Sequence, residues 1–382
     1  MTTRGSIARR GKKSWRIKFD TGRDALTGER QTAYVTVKGT RQDAQQELTR
    51  RLAALDAGVF VELTKTTLAD WLDQWLDENT TISGKTKERY GELIEGQVKP
   101  HLGWVLVQKL RPAQIQKWHT HLLKNGARKG GPLHARTVGH AHRVLNKAMS
   151  DAMKLELVPR NVVAVVAAPK VEDTEMEILS APQIAEVMTG ICDHALSPIV
   201  VVALGTGMRR GELLALRWID VNLDAATLRI ERALEETKEG GLRFKPPKTA
   251  YGKRTITLPA TVVSMLRTYR GRQVEQRLAL GLGKFASDAL VFPELGGAPR
   301  SPRRLTKQWS EAVEQLDLPK VSFHALRHTH ASALIAHGVD VLTISRRLGH
   351  GSAAITLRIY SHIFTATDGA AATAMDVALG GL

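Results

Sequence analysis

The chain reads as a multidomain protein: a small β-β-α unit in front, an all-α unit behind it, and a mainly α (α+β) unit at the rear. Three observations lead there. With 382 residues the chain is too long for one typical core. The spacing of its apolar residues changes from two to between three and four near residue 41. A stretch rich in proline, asparagine and small residues, 159–178, separates two periodic regions. The expected boundaries are 1–63, 64–170 and 171–382.

Taken in order, residues 15–19 (WRIKF) alternate large apolar and basic side chains, as a half-exposed strand does. Turn residues fill Asp20 to Gly28, and 31–37 (QTAYVTV) reads as a second strand. From Arg41 to Ala57 the pattern is helical, with Leu48, Leu52 and Leu55 near one face and Gly58 as a stop. Thr66 opens the next unit. The run LADWLDQWLDE puts Leu68, Trp71, Leu72, Trp75 and Leu76 on one face. Helices are expected near 84–98, 112–125 and 133–155, separated by Pro100 with Gly103 and by Gly126–Pro132. Behind the linker, Ser180 caps a helix with Pro182 just inside it. The apolar IVVVALGTG follows, then a helix over 208–217, strands near 227–233, 242–245 and 253–258, and helices from 261 onward.

The net charge is +17, which favours a polyanionic partner through Coulomb attraction and counterion release. Its distribution is uneven: +6 on residues 1–63, +8 on 64–170 and only +3 on 171–382. The front therefore reads as a part that grips a phosphate backbone. Lys85, Lys87, Arg89, Lys124, Arg128, Lys129, Arg136, Arg143 and Lys147 are its candidate contacts. A short sheet such as the front one can lie in a DNA groove, or can be a structural cap. No apolar run reaches membrane-span length, and the basic start MTTRGSIARRGKKSW has no apolar stretch behind it, so neither a membrane nor a secretory leader is expected. The single cysteine, Cys192, cannot form an internal disulfide, which fits a reducing cytoplasm.

Four places in the rear carry chemistry. In GTGMRRGELLALRW (205–218) a glycine-rich turn feeds a helix with Arg209 in its first turn and Glu212 three residues on. In PPKTAYGKRTITLP (246–259) Lys248 lies in a turn, where a flexible ammonium can reach a phosphate or a leaving oxygen. In HALRHTHA (324–331) His324 and Arg327 share a helix face. His328 at i+4 invites a zinc reading, but no glutamate follows His324, so His328 and His330 read as structural or surface residues. In LGHGSAAITLRIYSH (348–362) His350 sits between glycines, Ser352 can cap a helix, and Tyr360 lies near that helix's end.

In this order and spacing the motifs resemble the tyrosine recombinase, or phage integrase, family. The resemblance spans about 205–362, and more loosely the front, which is similar in layout to a small arm-type DNA-binding domain followed by a SAM-like core-binding domain. It implies that Tyr360 is the nucleophile, that Arg209 and Arg327 clamp the scissile phosphate, and that His324 and His350 bond it and assist proton transfer. Lys248 becomes the general acid for the 5′-oxygen, and Glu212 a structural support. It further implies a site-specific recombinase acting on double-stranded DNA at core and arm sites. Four protomers would exchange strands through a Holliday junction without cofactor or metal. The work would be done in the bacterial cytoplasm on the nucleoid, with DNA-bending or excision factors possible. The alanine-rich tail 363–382 would pack on a neighbouring subunit or fray.

The chemistry stands on its own. Attack on a phosphodiester builds negative charge on the equatorial oxygens, and two guanidiniums can hold it without a metal. A tyrosine with an ordinary pKa near 10 is a weak nucleophile until its proton has somewhere to go. A 5′-alkoxide leaves only when protonated. A relaxing topoisomerase shares this chemistry but needs no arm domain. A non-cleaving DNA-binding relative would not need the full residue set, and a metal-dependent nuclease would be abolished by EDTA.

Overall fold

Strand β2 (Ser14–Arg23) organises the front of the chain, because its alternate residues face two different surroundings. Ile17 and Phe19 are buried against helix α1 (Arg41–Asp56), which contributes Ala44 and Leu48. Arg16 and Lys18 face the other way and lie over the exposed ring of Tyr34. Strand β3 (Arg30–Lys38) pairs antiparallel with β2, as expected. Strand β1 (Gly5–Gly11) was not expected, and it makes the unit β-β-β-α. Its one large apolar residue, Ile7, is too little for a periodic signal, and pairing along β2 completes it. Thr40 and Asp43 form the capping box that starts α1.

The computed structural model describes residues 5–23, 27–57, 60–62, 64–128, 130–172, 177–247, 249–361 and 368–380. Gly58, Lys129, Lys248, His362 and parts of the expected first turn, the linker and the tail lie outside them. Contacts divide the chain into two units, Met1–Glu172 and Asp173–Leu382. No helix among the described residues is long and apolar enough to cross a membrane.

The helical part of the front unit has its own core. Thr67 caps α2 (Leu68–Glu78) through a box with Asp70, and Leu68, Trp71, Leu72 and Trp75 are buried as their spacing predicts. Each buried indole finds a partner: Trp71 Nε1 donates to the Ala148 carbonyl at 3.1 Å, Trp75 to Asp151 at 3.0 Å, and Trp118 to the Gln97 carbonyl at 2.7 Å. Helix α3 (Gly84–Leu93) does not stop before Pro100. It passes through a π turn, Ile94–Val98, into α4 (Lys99–Leu102), and Gly103 ends it. Pro100 has no N–H to give, and the wider π turn just upstream accommodates that missing bond. Helices α5 (Pro112–Asn125) and α6 (Ala135–Lys154) close the core. Between them His119 Nε2 and His142 Nδ1 lie 3.1 Å apart, both buried.

In the rear unit, α7 (Ala181–Gly190) begins at Ser180 with a capping box, and α8 (Ser197–Thr206) is apolar all round and buried, from Ile199 to Ala203. Helix α9 (Arg210–Ala215) is shorter than expected. The strand expected at 227–233 is two: β5 (Thr227–Ile230), in a sheet with β4 (Val221–Asn222) and β8 (Arg254–Thr257), and β6 (Ala233–Thr237), in a hairpin with β7 (Gly241–Lys245). Helix α10 (Ala260–Ala279) is followed by a non-helical stretch, 280–301, where helices were expected. Four glycines there, Gly281, Gly283, Gly296 and Gly297, have positive φ, which helices exclude. Then come α11 (Pro302–Gln315), α12 (Ala325–Ala336), α13 (Val341–Leu348), α14 (Ala353–Tyr360) and α15 (Asp368–Ala378). Ser352 occupies the cap position of α14, but its side chain makes no capping bond. A small satellite core joins Ala331 and Ile335 of α12, Ile344 and Leu348 of α13, and Tyr360.

Two consequences are measurable. Trp71→Ala removes a buried indole and its bond, so the helical part should lose about 3–5 kcal/mol, seen as an earlier calorimetric transition; an unchanged transition contradicts this packing. Burial, then the charge of His142, pushes the His119 pKa down to about 4. The unfolded chain, with an ordinary value near 6.5, binds more protons below that pH. His119 therefore stabilises fully above about pH 6.5, and that stability is lost as the pH falls toward 4. Melting temperature should drop across this window, and His119→Gln should flatten the drop; identical slopes in the two proteins refute it.

Candidate active site

The rear unit brings distant motifs together through helix ends. Helix α8 closes at Gly207, which adopts the left-handed conformation (φ 66°). A Cβ there would meet His330 at 2.5 Å and Leu348 at 2.9 Å, so only glycine fits. The Gly207 carbonyl accepts from Arg327 Nη1 at 2.6 Å. Helix α13 ends the same way at Gly349 (φ 67°). There, the Leu348 carbonyl accepts from Arg327 Nη2 at 2.7 Å and the Gly349 carbonyl from Arg209 Nη2 at 3.1 Å. Consecutive carbonyls at the negative end of one helix thus hold two guanidiniums side by side.

One carboxylate steadies them. Glu212, 3 % exposed, accepts from the Arg209 backbone N–H at 3.0 Å and from Arg209 Nη1 at 2.8 Å. Its oxygens also accept from Arg254 Nη2 at 3.0 Å and Nη1 at 3.3 Å. Burial pushes the Glu212 pKa up, but Arg254 and then Arg209 outweigh that and hold it below the usual carboxylate range. Arg254 also donates to the Arg347 carbonyl at 2.6 Å, which ties β8 to α13. Arg327 is buried, and burial followed by the charge of Arg209 pushes its pKa down to about 9, still a cation at neutral pH. Arg209, though bonded to Glu212 and the Gly349 carbonyl, keeps its side chain 42 % exposed. The cluster holds more positive charge than Glu212 can neutralise, which is the electrostatic condition for an anion site.

The histidines and the tyrosine complete it. His324 sits at the start of α12, exposed, with its ring edge-on to His328 at 4.9 Å. Burial and then Arg327 lower its pKa. His350 Nδ1 lies 2.8 Å from Thr356 Oγ1. Burial, then Arg327 and Arg209, take the His350 pKa down to about 4, so it is neutral at pH 7. Tyr360, the last residue of α14, is 0 % exposed. Its hydroxyl lies 2.7 Å from His328 Nδ1, and burial raises its pKa to about 12 against the lowering effect of Arg327. Thr356 and Tyr360 are one helical turn apart, so a single face of α14 supports His350 and presents the tyrosine.

Arg209, Arg327, His324, His350 and Tyr360 are therefore gathered around one place. Lys248 lies outside the described residues. Sequence reasoning assigned no role to Arg254, Arg347 or Thr356, and took His328 for a structural or surface residue. His330 is structural: its Nδ1 lies 2.6 Å from the Leu204 carbonyl, and its Nε2 accepts from Arg347 at 3.1 Å. The i+4 spacing of His324 and His328 was the available signal for His328. On the helical part of the front unit, Lys85, Lys87, Arg89 and Lys147 each pair with a carboxylate. Such exposed pairs are weak enough to yield to a phosphate.

The described phage integrase family model matches residues 174–366, and a model for the N-terminal SAM-like domain of phage integrases matches residues 67–123. A tyrosine recombinase XerC-like protein of Caldanaerobacter subterraneus subsp. tengcongensis is 27 % identical, covering 95 % of this chain and 96 % of its own. An integrase of Streptomyces ambofaciens is 28 % identical over 84 % of this chain and 82 % of its own. Among solved structures, the Tn1549 transposon integrase in complex with a circular intermediate DNA aligns with a TM-score of 0.68 at 20 % identity, covering 82 % of this chain and 99 % of that one. The lambda integrase tetramer bound to a Holliday junction aligns at 0.55 and 18 % identity over 91 % of this chain and 92 % of that one. The chain belongs to the phage integrase family, and its activity is that family's breakage and rejoining of DNA strands.

Proposed function

We propose that the protein integrates and excises a phage or other mobile element, cutting DNA through a covalent bond between Tyr360 and a 3′-phosphate. The observation that carries this reading is the pairing of Arg209 and Arg327 on the consecutive carbonyls of Gly349 and Leu348, beside the Tyr360 hydroxyl. In it, the two guanidiniums take the non-bridging oxygens of the scissile phosphate. The Tyr360 oxygen attacks phosphorus in line, and the bond to the 5′-oxygen breaks. His324 and His350, neutral at pH 7, donate hydrogen bonds to the phosphate. Lys248 protonates the 5′-oxygen. The phosphotyrosyl ester conserves the bond energy, so a 5′-hydroxyl from another strand can attack it and release Tyr360 without ATP.

The division of labour follows the charge. Residues 1–63 bind arm sites through the face carrying Arg16, Lys18 and Tyr34, residues 64–170 grip the core site, and 171–382 cleave. Four protomers work on two sites through a Holliday junction, on the bacterial nucleoid, with DNA-bending or excision factors as helpers. The C-terminal helix α15, which leaves Met375 and Val377 exposed, packs on a neighbouring protomer.

The test uses a nicked suicide duplex carrying a recognition site selected from random DNA by binding to the protein. We expect a covalent adduct at the nick-proximal phosphate, formed equally in EDTA and absent in Tyr360→Phe. An adduct that persists in Tyr360→Phe overturns the nucleophile. A requirement for metal overturns the phosphate clamp in favour of a nuclease.

A further inference from the structure

We propose that His328 is a catalytic residue that takes the proton of the Tyr360 hydroxyl as the tyrosine attacks, and returns it when the strand is rejoined. The inference rests on the reading of Tyr360 as nucleophile. Its basis is geometric. The Tyr360 side chain is fully buried, and its hydroxyl lies 2.7 Å from His328 Nδ1. In the DNA-free site, with His328 in place, the phenol is packed away from water, so its proton passes most directly to the group it touches. The other groups around it are ill suited. Arg327 is a cation whose two terminal nitrogens donate to the Gly207 and Leu348 carbonyls. His350 directs its Nδ1 at Thr356. His324 meets the His328 ring, not the hydroxyl.

The step balances. Tyr360 donates its hydrogen bond to Nδ1, so His328 carries its own proton on Nε2. As the phenolic oxygen bonds to phosphorus and the 5′-oxygen leaves, the phenolic proton moves to Nδ1 and His328 becomes an imidazolium. On rejoining, the incoming 5′-hydroxyl bonds to phosphorus, the tyrosine oxygen leaves, and Nδ1 gives the proton back. The groups facing His328 are His324 and Arg327 on its own helix, Tyr360 on α14, and His350 just before α14. Burial, His324 and Arg327 hold the resting His328 neutral, with its pKa down at about 4. A bound phosphate offsets Arg327, which raises the basicity of His328 at the moment its proton affinity is needed.

The experiment measures single-turnover adduct formation on the nicked duplex, with an ordinary 5′-oxygen and with a 5′-bridging sulfur, which leaves without a general acid. His328→Ala and His328→Asn are compared with the parent from pH 7 to 9, after melting and DNA affinity confirm that each is folded. His328→Asn keeps an acceptor for the tyrosine but cannot take a proton. Both variants should be slower by about 10²–10⁴, on both substrates alike, and should gain about tenfold per pH unit as hydroxide replaces the base. The proposal is overturned if either variant cleaves within about threefold of the parent, or if the sulfur leaving group rescues it, since rescue places His328 on the leaving side. An adduct in Tyr360→Phe is a separate outcome that removes the nucleophile itself.

Discussion

Two guanidiniums held together against their mutual repulsion are the constraint on which the rear unit turns. Arg209 and Arg327 come from segments more than a hundred residues apart, yet they bond to neighbouring carbonyls, Gly349 and Leu348. Nothing favourable follows from placing two cations there unless negative charge compensates them. Part of it comes from the carbonyl end of α13, part from the Gly207 carbonyl at the end of α8, and part from Glu212. The two left-handed glycines are required because only a residue without Cβ can turn the chain so tightly beside those side chains. The remaining positive charge is what a phosphate would neutralise, so the resting site is complementary to a group it does not yet hold.

Tyr360 illustrates how packing and chemistry share one residue. It is a core residue, buried in the small cluster with Ala331, Ile335, Ile344 and Leu348. It is also the candidate nucleophile, and burial makes its proton harder to lose, not easier. Its reactivity must therefore come from neighbours, which are fixed by the same packing. Helix α14 sets the tyrosine against His328 and Thr356 against His350. A shift of that helix would disturb both contacts at once.

Much of this was legible in the sequence, and the reasons for the failures are specific. The helix α2 face and the cap at Ser180 were read from the sequence, whereas the caps at Thr40 and Thr67 were not singled out and the break after Ile230 was missed. Caps and amphipathic faces depend on residues within one or two turns, so their pattern is visible. Strand β1 has one large apolar residue and is completed by its partner β2, and the π turn before Pro100 arises from backbone accommodation. Neither leaves a period to read. The ordered motifs around Arg209, His324, Arg327, His350 and Tyr360 were legible through family resemblance. Arg254, Arg347 and Thr356 were not, because an arginine that donates to a distant carbonyl looks like any surface arginine until the chain is folded. His328 carried a readable spacing, but with the metal reading discounted it was taken for a structural or surface residue, and only the folded chain sets it against a hydroxyl.

The central claim is that Arg209 and Arg327 form one preassembled clamp for a single phosphate. A crystal structure of Tyr360→Phe bound to its selected duplex in EDTA tests this most directly. The account predicts that both non-bridging oxygens of one phosphate lie about 3 Å from the Arg209 and Arg327 guanidiniums, which keep their Gly349, Leu348 and Gly207 carbonyl partners. A phosphate held elsewhere, or arginines that part to reach different phosphates, would contradict it.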